Sequence, residues 1–101
     1  MPELLAEQTY VKVIREIASL QQVDTEQERT MYLYEDRVVT KHREFQIEEV
    51  MDISYRFIGK SGGFLYLHTN KGVFSYIVKV SPEAFVKVFR DYKDRKRDEQ
   101  L

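Results

Sequence analysis

Met51-Asp52-Ile53-Ser54-Tyr55-Arg56-Phe57, "MDISYRF", carries apolar side chains at odd positions and polar ones at even positions. Period two is the mark of a β-strand with one buried face. A strand is therefore predicted over 50–58. Downstream, "FLYLHT" (64–69) and "VFSYIVKV" (73–80) are aromatic and β-branched runs separated by Asn70-Lys71-Gly72. This is a three-residue hairpin loop with glycine where a left-handed residue is needed, so the two runs pair antiparallel. Upstream, "TMYLYEDRVVTKH" (30–42) reads as two short strands hinged near Glu35-Asp36, with another short strand over Phe45 to Ile47 and a bend at Glu48-Glu49.

The period changes after residue 80. Ser81 is a helix N-cap candidate, Pro82 suits the first helical position and Glu83 complements the positive end of the helix dipole. Phe85, Val88, Phe89 and Tyr92 then recur at i, i+3, i+4 and i+7, one apolar stripe of an amphipathic helix over about 82–95 that frays through the charged tail "DRKRDEQ". Residues 3–20 fit both a helical face (Tyr10, Val13, Ile14, Ile17) and a strand ("TYVKVI"). A short helical turn followed by a strand over roughly 10–20 is the preferred reading. Strands from about 10 to 80 without an intervening helix imply an α+β fold: an antiparallel meander with one C-terminal amphipathic helix. The 101 residues suit a single domain.

Composition narrows the function classes. Sixteen Lys plus Arg against seventeen Asp plus Glu leave a formal charge of -1, so no global field gathers nucleic acid or an anionic membrane. The chain has no cysteine, which removes disulfides, Cys-zinc sites and thiol nucleophiles, and is compatible with a reducing cytoplasm. No stretch is long and apolar enough to serve as a membrane anchor or an export signal. A cytoplasmic location is the expectation.

"IGKSGGF" (58–64) contains Gly-Lys-Ser, the end of a phosphate-binding P-loop. The full motif places its first glycine five residues before the second, at position 54, which is Ser, and opens a helix after the Ser/Thr. Here a strongly β-forming run follows, so the stretch is predicted to be a turn. The two histidines, His42 and His68, lie on different strands without metal-ligand spacing, and zinc would have to recruit Glu48, Glu49 or Asp52. Ser54, Ser61, Ser75 and Ser81 lack a nucleophile motif, and Glu48-Glu49 reads as a bend rather than an acid/base pair. No catalytic residue, metal or other cofactor is expected, and the chain reads as non-enzymatic.

Two patches remain. The run Lys41-His42-Arg43, with Lys60 and Lys71 at other loop tips, reads as a solvated turn or as an anion patch. The second patch comes from the strands. In 64–69, Leu65 and Leu67 face one way and Phe64 and Tyr66 the other. In 73–80, Phe74, Tyr76 and Val78 oppose Val73 and Ile77. Both faces are apolar, so the second needs a cover: the helix, the N-terminal segment, or another protein. Phe64, Tyr66 and His68 are the candidate interaction residues, and a homodimer is the simplest partner arrangement.

The stretches "RTMYLYEDRVVTKHREFQIEEVMDISYR" (29–56) and "LYLHTNKGVFSYIVKVSPEAF" (65–85) resemble the short bacterial pleckstrin homology-like (PH-like) domains, in particular a group of small proteins of Gram-positive bacteria. The resemblance covers roughly residues 29–92. It implies a PH-like split barrel more than a function, because that fold hosts lipid, peptide and protein ligands; a protein-interaction or self-association module is the preferred reading of function. Lipid-binding PH domains cluster Lys and Arg around the loop joining their first two strands. Here "VDTEQER" sets Asp24, Glu26 and Glu28 against Arg29, so a phosphoinositide site is not transferred. The alternative function is a weak binder of an anionic ligand or membrane surface through Lys41, His42 and Arg43.

Overall fold

The computed structural model describes residues 2–18 and 21–99. Among these residues, seven strands form one open antiparallel sheet: β1 (Leu4–Ala18), β2 (Gln21–Tyr34), β3 (Arg37–Val39), β4 (Glu44–Gln46), β5 (Val50–Phe57), β6 (Gly63–Thr69) and β7 (Gly72–Val78). One helix, α1 (Glu83–Glu99), follows. The strand order is β4-β3-β2-β1-β7-β6-β5. Two meanders are thus joined where β1 meets β7, with Val11 opposite Ile77. The arrangement is α+β, as the change of period at residue 80 implies.

The N-terminal segment corrects the expected helical turn: β1 is extended from Leu4 onward. Gln8 and Tyr10 are buried and lie opposite Met31 and Arg29 in the ladder with β2, so inward alternation and a continuous ladder prevail over the helical spacing. Residues 19 and 20, the end of the expected strand, lie outside the described residues. "VDTEQER" is likewise ladder rather than loop. Val13 pairs Glu26, Ile14 pairs Thr25 and Arg15 pairs Asp24. Residues 21–28 of β2 are all exposed, so this half of the hairpin is a ribbon wetted on both faces and needs no apolar alternation. It gives the protein its long axis, 61 Å against 27 and 25 Å.

The decisive stretch holds one surprise. Ile53 is fully buried, but Met51 is 64% exposed and Val50 takes its place in the core. A register shift between Val50 and Asp52 is the cause, because a bulge reverses which side chain faces inward. The strand expected at Phe45 to Ile47 runs over Glu44–Gln46, and Ile47 instead opens a 3-10 turn through Glu48 and Glu49 that supplies the expected bend. The hinge at Glu35-Asp36 stands between β2 and β3 as predicted.

α1 starts where the capping signals place it. Ser81 Oγ accepts from the Glu83 N–H at 3.4 Å, and the Pro82 carbonyl accepts from the Val86 N–H at 2.9 Å. The helix buries Phe85, Val86 and Phe89 on the inner face of the sheet, with Val88 and Tyr92 on its flanks. The stripe is therefore rotated toward Val86, and the charged tail remains helical through Glu99. Polar contacts pin it: Tyr92 Oη donates to the Glu35 carbonyl (2.8 Å), Lys93 Nζ to the Ile47 carbonyl (3.1 Å), and Arg90 pairs with Asp52 (3.2 Å). No described helix is long and apolar enough to cross a membrane.

Candidate anion-binding cleft

After the single Val11–Ile77 pair, β1 and β7 part company. The opening is a cleft of about 450 Å³. The ladder dictates much of its wall. Tyr10 and Arg29 are direct partners and so share a face, and Lys12 projects on the same side two residues on. Thr40, His42 and Arg43 enter from the connection between β3 and β4, and Ser75 and Tyr76 from β7.

That connection is tightly held. The Thr40 N–H donates to the Arg43 carbonyl at 2.8 Å, and the Arg43 N–H to Thr40 Oγ1 at 3.1 Å. Arg43 lays its guanidinium over the Phe74 ring at 4.7 Å, a cation–π contact that orients the charge. Tyr10 and Tyr76 meet edge to face at 5.0 Å, and Tyr10 Oη accepts from the Lys41 N–H at 3.2 Å.

The charge around this opening is one-sided. Lys12, Arg29 and Arg43 border it together with His42, and no carboxylate is among the residues that line it. Among the described residues, none of those three cations has an ion-pair partner. Arg29 is the most telling. Its Nη2 donates to Gln27 Oε1 at 3.1 Å, while its Nε is buried and meets no hydrogen-bond acceptor. A buried donor without a partner costs about 1–3 kcal/mol, more when charged. Burial pushes the Tyr76 hydroxyl above its ordinary value; the Thr40 side chain opposes the rise, Tyr10 adds to it and Arg43 opposes it. Tyr76 therefore keeps its proton and can donate.

The sequence candidates divide between two sites. His42 and Arg43 line the cleft, whereas Lys41 contributes its backbone and turns its side chain to solvent. Lys60 and Lys71 are not among the cleft residues, and Lys71 lies 3.8 Å from Glu49. Phe64, Tyr66 and His68 stand together on the outer face of β6. Phe64 and Tyr66 stack with centroids 6.2 Å apart, and His68 Nε2 lies 2.6 Å from Ser54 Oγ. Asp52, the carboxylate opposite His68 in the ladder, pairs with Arg90. Gly59–Ser61 is one 3-10 turn closed by the Gly62 N–H on the Gly59 carbonyl, and β6 follows at once. Among the described residues, no three His, Asp or Glu side chains are placed to hold a metal.

Lys12, Arg29, Tyr10 and Tyr76 escaped the sequence reading. One signal was there. Arg29 occupies the inward parity of a strand whose next inward residues are Met31 and Leu33, an unusual place for a cation. No protein-family model matches the chain, and no curated protein matches it.

Proposed function

We propose that this chain is a non-enzymatic, cytoplasmic PH-like binding module that takes an anionic group, of phosphate type, in the cleft between β1 and β7. The observation that carries this reading is the convergence of Lys12, Arg29 and Arg43 on one cleft, none with an ion-pair partner among the described residues, with Arg29 Nε buried and short of an acceptor. An anionic oxygen there receives charge-assisted hydrogen bonds, with the neutral Tyr76 hydroxyl as a further donor. The acids of "VDTEQER" do not oppose it as they would in a loop. Asp24 pairs with Arg15 and Glu26 with Lys79, and Glu28 shares the outer face with Val11. The order of seven strands followed by one helix supports the PH-like assignment.

The test is titration with inorganic phosphate and, separately, with vesicles of neutral lipid with and without phosphatidylglycerol, on wild type and Arg29→Met. Binding to either probe is expected to weaken with salt. Loss of one charge-assisted hydrogen bond in Arg29→Met is expected to weaken it about 10- to 100-fold. Absence of binding to both probes, or binding indifferent to Arg29→Met, refutes the reading. A second reading, a protein-interaction or self-association surface, is favoured by the uncovered outer face that carries Phe64 and Tyr66.

A further inference from the structure

The outer face of the sheet carries a row of register partners that crosses five strands. Arg56 on β5 is opposite Phe64 on β6, Phe64 is opposite Ile77 on β7, Ile77 is opposite Val11 on β1, and Val11 is opposite Glu28 on β2. Partners in an antiparallel ladder share a face, so these five side chains stand side by side, spanning roughly 19 Å at about 4.8 Å per strand. The row reads basic, apolar, apolar, apolar, acidic. Nothing among the described residues covers it. α1 occupies the inner face, the N-terminal segment is itself a strand of the sheet, and Phe64 is 45% exposed.

We propose that this row is the contact surface for a second copy of the chain, related by a two-fold axis that runs along β7 between the two outer faces. Rotation about that axis reverses the row. Ile77 then meets Ile77 of the second copy, Phe64 meets Val11, and Arg56 meets Glu28, twice over. A closed two-fold contact requires a self-complementary surface, and a row with opposite charges at its ends and apolar residues between them meets that condition. The charges at the two ends support the choice of occupant. Nearby surface charges are already paired within the chain: Arg90 with Asp52, Lys79 with Glu26, and Arg15 with Asp24. Arg56 and Glu28 are exposed and have no ion-pair partner among the described residues. An unrelated partner would have to bring an acid and a base at this spacing, whereas a second copy brings both.

The experiment is a charge-swap cycle read by sedimentation or light scattering over about a hundredfold range of concentration. Wild type is expected to dimerise. Arg56→Glu and Glu28→Arg each set like charges against each other at both ends, and each is expected to weaken the dimer by at least about tenfold. Combining them restores opposite charges and is expected to restore association. Both positions are exposed, so thermal melting compared at a concentration low enough for wild type to be monomeric should be the same for all variants, which shows that the fold is intact and only the contact is altered. A monomeric wild type, a dimer indifferent to either single reversal, or a double variant no better than the singles would overturn the proposal. Val11 and Ile77 also border the cleft but Arg56 and Glu28 do not, so phosphate titration of the two charge-reversal variants distinguishes failure of this proposal from failure of the cleft reading.

Discussion

Truncating Phe89 to Ala tests whether α1 is held to the sheet as described. Phe89 is 1% exposed, between Phe85 and Val86 at 2% each, on the face turned toward the strands. Removing about 150 Å² of ring surface at about 25 cal/mol per Å² loses about 4 kcal/mol. That lies within the range of about 3–5 kcal/mol for such truncations, which includes the cavity left behind. A domain of this size has about 5–15 kcal/mol in all, so the loss is a large share of its stability. Urea unfolding followed by far-ultraviolet circular dichroism is the assay. With a slope of about 1–3 kcal/mol per M, the midpoint should fall by about 1–4 M. A loss below about 1 kcal/mol would mean that the helix does not dock through this ring. Val86→Ala and Val88→Ala check the rotation of the helix. The fully buried Val86 should cost more than the half-buried Val88, and the reverse order would refute the placement of the stripe.

Gly63→Ala should destabilise by more than about 1 kcal/mol in the same assay, because an added Cβ would meet the Arg56 carbonyl oxygen at 2.0 Å and Phe57 Cα at 2.7 Å, both backbone atoms. A neutral result would mean that β5 and β6 do not approach so closely at this end. The raised Tyr76 value, caused first by burial, predicts stability that is fully present below the unfolded value of 10.0 and is lost as pH rises through the folded one. Unfolding measured across the alkaline range should show this fall, and Tyr76→Phe should flatten it. An equally steep fall in the variant would assign it to other groups.

What the sequence determined by itself was local. Alternation at 51–57, the glycine at 72 (which opens β7 opposite Thr69, so the loop is the two residues Asn70-Lys71 rather than the three expected), the hinge at Glu35-Asp36 and the capping residues from Ser81 to Glu83 each act within a few residues, so they place strands, turns and a helix start without reference to the rest of the chain. The same locality misplaces Met51, since a bulge depends on the register with β6. It also misreads 4–9, which are the start of β1 rather than a helical turn, and 23–29, where mostly exposed residues carry no periodic apolar signal and are held by the ladder with β1. Of the cleft, only His42 and Arg43 were legible, as part of a visible basic run. Lys12, Arg29 and Tyr76 join them from distant positions because β1 pairs with β2 along its whole length but touches β7 at one pair before diverging. The row from Arg56 to Glu28 has the same origin. Five residues from five strands become neighbours only through strand order and register, and both are set by long-range pairing that no local pattern encodes.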